Sequence, residues 1–357
     1  MEFKGAWTAL VTPFKENGEI DWDGFKKNVE FQIANGISGL LPVGTTGESP
    51  TLTHEEHSLV NKGVFEFADG RCKVLAGCGS NSTAEAIKSV SEAKQAGINA
   101  ALIIDCYYNG PSSLELRKNH YEIIAEKFPD VSLVPYIIPG RTGCALSPYD
   151  LAILARKYPN VNAVKEATGD ISRMEVEAKI LPENFSILSG DDGITFEIMA
   201  SPKIKAKGVI SVITNIAPKA ISQMCELLLN GKTWEAEQIH KKLKPLFDVV
   251  TVKTKRNVQI ERDTYQAEDK FRNPTPIKTI MNALGMPAGK TRNPLGKMTP
   301  AGVLVVRDAL KTVWKLSPEI LKPVEEFYSV NIEERLSLIH ISEPTRPLYI
   351  SYAVFCL

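Results

Sequence analysis

A lysine stands in the middle of an apolar run, Val161-Asn162-Ala163-Val164-Lys165-Glu166-Ala167. A strand flanked by helices is buried on both faces, which suits Val and Ala and makes Lys costly. Desolvation disfavours the ammonium form, so the amine loses its proton more readily and becomes able to attack a carbonyl carbon. A lysine so placed is equipped to form a Schiff base. The plain alternative is structural: a lysine paired with a carboxylate, or one snorkelling from the strand end. The choice between them depends on what else the chain brings to the same place.

Eight short apolar runs recur, at 7–14, 38–44, 73–79, 99–108, 131–139, 161–167, 185–191 and 207–213. Segments with apolar residues at helical spacing separate them. Thr53 with Glu56, Ser82 with Glu85, and Ser147-Pro148 with Asp150 read as helix starts. Asn35-Gly36, Ala96-Gly97 and Asn230-Gly231 read as stops. The runs repeat with the period of a βα unit in a parallel sheet, roughly 25–30 residues. Eight such units close most naturally into an α/β fold of the (β/α)8 TIM-barrel type, over residues 1–232. A doubly wound open sheet is the rival, but no GxGxxG follows the first run. Residues 233–250 and 302–336 read as helices, so 233–336 is expected as a C-terminal helical extension. Ten of the 22 residues at 251–272 are charged, which marks a polar insertion within it. Beyond Leu336 the helical period stops. Residues 337–357 resemble translated sequencing-adapter read-through and are read as a non-native tail outside the fold.

Composition excludes several classes of function. The chain has 357 residues, and Lys+Arg and Asp+Glu both number 42, so no charge excess argues for nucleic acid or an anionic membrane surface. The start, Met1 to Trp7, lacks the features of a signal peptide, and no run reaches transmembrane length. The six cysteines show no CxxC spacing, and several lie in apolar runs. That is the usage of buried thiols in a reducing cytoplasm, the location expected here.

In a closed barrel the chemistry sits at the C-terminal ends of the strands. The second run ends in Gly44-Thr45-Thr46-Gly47-Glu48, the fourth in Tyr107-Tyr108-Asn109. The fifth carries Tyr136, followed by Pro139-Gly140-Arg141-Thr142-Gly143. The sixth carries Lys165-Glu166, the seventh Gly190-Asp191-Asp192, the eighth Gly208-Val209-Ile210-Ser211. Singly, each has an ordinary explanation as a turn, an amphipathic plug or a surface charge. Together they place an amine nucleophile, hydroxyl acids, a cation and a glycine loop at one mouth. Loop N–H groups and Thr hydroxyls hold a carboxylate, and a tyrosine moves protons once a carbonyl is activated. A carbonyl substrate bearing a carboxylate fits, an α-keto acid most simply.

These residues, in this order, resemble the class I aldolase family of dihydrodipicolinate synthase and N-acetylneuraminate lyase. The resemblance runs from about residue 3 to residue 310. Its motifs are GTTGES at 44–49, YYN at 107–109, GRTG at 140–143, KEATGD at 165–170, LSGDD at 188–192 and GVISV at 208–212. It implies a covalent imine between pyruvate and Lys165, with Tyr136 as general acid/base and Thr45 and Tyr108 completing a hydroxyl relay. It places pyruvate at Thr46 and the backbone of Ile210, with Gly190 beside the substrate, and requires no metal or organic cofactor. Arg141 and the GTTGE form of the loop point to the branch that condenses pyruvate with L-aspartate 4-semialdehyde, giving 4-hydroxy-tetrahydrodipicolinate on the route to lysine. Arg141 would clamp the aldehyde's carboxylate. The resemblance further implies a homotetramer built from tight dimers.

Ser49, His54, His57, Asn81, Glu85 and Tyr107 match positions that form an allosteric lysine site in bacterial relatives, so feedback inhibition by lysine is expected. Their ordinary alternatives are a solvated helix start for the two histidines, half of a capping box for Glu85 and simple packing for Tyr107. Pro50 replaces the small residue usual there. Ile137 stands where the family has Asn, and Cys106 where it has Pro, departures expected to reshape the aldehyde pocket. The nearest rival function is a pyruvate-dependent aldolase or dehydratase of the same family acting on another 2-keto acid. A non-catalytic pyruvate-binding regulator has no need of Lys165 and Tyr136 together. A metal-dependent aldolase lacks its HxH or HExxH signature here.

Overall fold

All eight apolar runs form parallel strands. In the computed structural model, which describes residues 1–337, they are β1 (Gly5–Ala9), β2 (Gly39–Leu41), β3 (Lys73–Val74 and Ala76–Gly77), β4 (Ala100–Ile104), β5 (Ser132–Ile137), β6 (Ala163–Glu166), β7 (Ser186–Ser189) and β8 (Gly208–Ser211). Neighbours in sequence pair in register, and β8 returns to β1 with Trp7 opposite Ile210. The third strand pauses at Leu75: its first half pairs with β2 and its second with β4, so the circle closes through it. The result is a (β/α)8 barrel, as expected. Of the suspected tail, residues 338–357 lie outside the described residues.

Strand alternation sorts side chains into two cores. Trp7, Leu41, Leu75, Leu102, Val134, Tyr136, Ala163, Leu188 and Ile210 fill the barrel interior. Leu133, Ile137, Val164, Ile187 and Val209 face the helices in a larger outer core. Gly39 is required by this filling, because a Cβ there would lie 2.3 Å from the Trp7 ring. Fully burying each large apolar side chain contributes about 1.5–3 kcal/mol, which is how the barrel tolerates polar groups at its mouth.

The C-terminal region differs in detail from a purely helical extension. Helix Thr233–Phe247 is followed by a two-stranded antiparallel ribbon, β9 (Thr251–Ile260) and β10 (Asp263–Arg272). Only its base is anchored, with Val252 and Thr254 buried, so charge persists along both faces and hides the strand period. Helix Thr275–Leu284 then follows, starting at Thr275-Pro276 and ending at Gly285 with φ +82°. The segment 302–336, read as helical, holds three α-helices: Pro300–Leu316, Lys322–Tyr328 and Ile332–Ser337. Ser317-Pro318 breaks the first, and Ser329, at φ +56°, ends the second.

Candidate active site

Period-two alternation in β6 sends Ala163 and Lys165 into the barrel and Val164 and Glu166 out of it. Glu166 is committed on the outer face, where it accepts from Arg173 Nε at 3.2 Å and the Thr168 N–H at 2.9 Å. Lys165 is 4% exposed and, among the described residues, has no carboxylate at ion-pair distance. Its Nζ lies 4.3 Å from the centroid of the Tyr136 ring, on the strand that pairs with β6 at this level. Burial pulls its pKa from 10.5 down to about 7; the carboxylates of Asp192 and Asp191 oppose that fall, and the Arg141 charge reinforces it. The structural alternatives for this lysine fail on these observations: it is neither paired nor snorkelling.

Tyr136 is itself buried, which raises its phenol pKa, while the neighbouring Thr45 side chain and the Arg141 charge pull the other way. Thr45, Tyr136 and Arg141 line one cavity of about 270 Å³ at the mouth. Arg141 sits on the short helix Pro139–Thr142 and donates through Nη2 to the Asn273 carbonyl at 3.0 Å. Thr46 is buried, and its hydroxyl accepts from Asn273 Nδ2 at 2.9 Å. Ile210 stands in the interior cluster with Tyr136. Gly190 lies tight against β6, since a Cβ there would come within 2.6 Å of Ala167 Cβ.

Tyr108 does not join this group within the chain. At φ +78° its side chain turns outward and is 92% exposed, so the hydroxyl relay expected through it is not assembled in one copy. A second cavity, of about 340 Å³, brings together Ser49, His54, His57, Glu85 and Tyr107; Asn81 is not among its walls. Glu85 does not complete a capping box, for Ser82 caps the helix alone. Its carboxylate instead accepts from Ser80 Oγ at 2.5 Å and faces His54 Nε2 at 3.8 Å. His57 Nε2 meets the Ser49 carbonyl at 2.8 Å, and burial lowers its pKa. Ser49, Pro50, Gly79 and Tyr107 line both cavities, so the two share a wall.

The sequence model of the Dihydrodipicolinate synthetase family matches residues 2–313. The chain belongs to that family. A curated relative from Methanococcus maripaludis (strain C5), named 4-hydroxy-tetrahydrodipicolinate synthase, is 42% identical over 311 residues, 87% of this chain and 98% of the relative. One of the same name from Methanocaldococcus jannaschii is 41% identical over 309 residues, with the same coverage of 87% and 98%. Among solved structures, dihydrodipicolinate synthase from Aquifex aeolicus is 37% identical with a TM-score of 0.78, covering 89% of this chain and 99% of its own. The enzyme of that family from Cyanidioschyzon merolae, solved with lysine bound, is 32% identical with a TM-score of 0.79 over 88% and 99%.

Membership in the dihydrodipicolinate synthetase family does not by itself explain the groups that sequence reading left without a role. Asp192 is buried, accepts from Ser211 Oγ and from the Val212 N–H at 2.9 Å, and burial raises its pKa to about 6. With Asp191 it supplies the negative field around Lys165. Both stood in the LSGDD run, where a charged pair at a strand end was the available signal. Asn273 carried no such signal, since it follows the charged ribbon 227 residues beyond the Thr46 it touches. Among the described residues no group of three or more His, Cys, Asp or Glu side chains is arranged to hold a metal ion, and no helix is long and apolar enough to cross a membrane.

Proposed function

We propose that the chain condenses pyruvate with L-aspartate 4-semialdehyde to give 4-hydroxy-tetrahydrodipicolinate, in keeping with the name its relatives carry. The observation that carries the reading is the buried amine of Lys165, without a carboxylate partner among the described residues, lowered to about 7 and set against Tyr136. The neutral amine adds to the pyruvate ketone, and loss of water leaves an imine. Loss of a methyl proton gives an enamine, whose carbon attacks the aldehyde. The amino group of the joined substrate then attacks the imine carbon, closes the ring and releases Lys165. The Tyr136 hydroxyl, which shares its cavity with Thr45, serves as the proton carrier for these steps. Thr46 and the backbone at Gly190 and Ile210 hold pyruvate, and Arg141 takes the carboxylate of the aldehyde. The covalent imine takes the place of a cofactor.

In this reading Tyr108 serves a second copy of the chain, because its side chain is turned out to solvent in its own. That fits the homotetramer of tight dimers that the resemblance implies. The cavity of Ser49, His54, His57, Glu85 and Tyr107 is read as the site of lysine feedback, with Glu85 facing the ligand's ammonium. The decisive experiment is incubation with pyruvate and borohydride, then identification of the product formed with aspartate semialdehyde. A reduced pyruvyl adduct on Lys165 and a cyclic product support the reading. An adduct elsewhere would overturn the reading, and turnover confined to longer 2-keto acids would replace it with the rival lyase.

A further inference from the structure

The loop of residues 44–51 carries the hydroxyls assigned above to proton transfer and carboxylate binding, yet most of what holds it comes from outside the barrel. The barrel contributes Thr12 Oγ1, which donates to the Gly47 carbonyl at 2.8 Å, and His57 Nε2, 2.8 Å from the Ser49 carbonyl. Glu48, at φ +58°, buries its carboxylate against Lys278 Nζ at 2.7 Å and accepts from the Arg292 N–H at 2.8 Å. Lys278 is 2% exposed, and its remaining donors go to the carbonyls of Thr12 at 3.1 Å and Lys290 at 3.0 Å. Asn273 Nδ2 donates to Thr46, and the Asn273 carbonyl accepts from Arg141. One stretch after the barrel therefore touches both carboxylate-binding groups and the loop between them.

A buried ion pair with every donor used is an unpromising source of stability, because desolvation offsets the attraction between its charges. It is a good source of geometry, since few arrangements satisfy all its partners at once. Residues held at positive φ persist only where their surroundings over-determine them, and Glu48 is such a residue. Asn273 also buries its Oδ1 without a hydrogen-bond partner among the described residues, so its retained value is the amide donor aimed at Thr46.

We propose that Asn273 and Lys278 are positioning residues for the reaction: together they hold Thr45 and Thr46 in register with Lys165, and Asn273 ties that loop to Arg141. The proposal rests on the roles given to Thr45, Thr46 and Arg141 under the proposed function. Loss of the Asn273 amide frees the Thr46 hydroxyl and leaves the carbonyl that receives Arg141, so pyruvate handling suffers before aldehyde handling. Loss of the Glu48–Lys278 pair frees the whole loop, including Thr45, so turnover falls as well.

The test uses the full chain with Asn273→Ala and with the double variant Glu48→Gln/Lys278→Met, which removes both buried charges and strands neither. Three measurements are made: melting temperature, amide hydrogen exchange, and steady-state constants for each substrate. Asn273→Ala should keep its melting temperature while its KM for pyruvate rises about tenfold, the scale of one hydrogen bond, with the aldehyde KM unchanged. The double variant should exchange faster across 44–51 but not in the barrel strands, and its kcat should fall. Folded variants with wild-type exchange and wild-type kinetic constants overturn the proposal, as does faster exchange with unaltered kinetics. If the double variant does not fold, Asn273→Ala decides on the same measurements. If the wild type traps no pyruvate at Lys165 yet exchange at 44–51 still rises in the variants, the assigned reaction falls and the anchoring of the loop stands.

Discussion

At the scale of the residue, Lys165 is a case of burial being used for chemistry at the expense of stability. Its pKa falls from 10.5 to about 7, so imine formation with pyruvate should climb as pH rises through about 7 and then level off, because only the neutral amine attacks. Quantifying the borohydride adduct by mass spectrometry across that range tests the limb, and a flat profile would sink the argument. Arg141→Ala removes a charge that disfavours the ammonium form, so it should move the limb to higher pH. The same shift has a thermodynamic side. Between about 7 and 10.5 the unfolded chain carries a proton on Lys165 that the folded chain has lost, so folding gains stability as pH rises through that window. Lys165→Met should abolish trapping, erase that gain and raise stability near neutral pH by about 1 kcal/mol. Denaturant titration at two pH values reads both effects.

Elements position these groups by register. β5 and β6 place Tyr136 beside Lys165, and β7 pairs with β6 up to the turn that carries Asp191 and Asp192. Gly190 sets the spacing at that turn. A Cβ at Gly190 would stand 2.6 Å from Ala167 Cβ and 3.1 Å from the Glu166 carbonyl. Gly190→Ala should therefore cost about 1–3 kcal/mol of stability and slow imine formation, as the turn backs away from β6. Chemical denaturation together with the trapping rate would show it, and wild-type values for both would mean the turn is not rigid. The eight strands were legible because each is apolar and bounded by helix signals. β9 and β10 were not, since only their base is buried and charge fills both faces beyond it. Helix Thr275–Leu284 had readable signals in Thr275-Pro276 and Gly285, obscured by the charged segment before it.

For the whole molecule, the proposed service of the outward Tyr108 to a second copy is open to a mixing test. Lys165→Arg and Tyr108→Phe should each be weakly active alone, yet activity should return when the two are refolded together. Some mixed assemblies then hold one site with both wild-type groups. No gain on mixing would mean that Tyr108 acts in its own chain or not at all. The cavity that shares a wall with the active site should make the initial rate fall with millimolar lysine, and Glu85→Ala should blunt that response. Inhibition that survives Glu85→Ala places the regulatory site elsewhere.

The sequence by itself determined the barrel, the strand ends that meet at its mouth, and the lysine and tyrosine at its centre. It could do so because strand alternation and βα periodicity are local, and because a buried amine is chemically conspicuous. Only the tertiary structure decided which partners those groups have. It turned Glu166 away to Arg173, left Lys165 without a carboxylate partner among the described residues, sent Tyr108 outward, and brought Asn273 and Lys278 back to Thr46 and Glu48. Those outcomes depend on contacts between segments far apart in the chain, where burial and hydrogen-bond satisfaction, unlike periodicity, leave no mark on the order of residues.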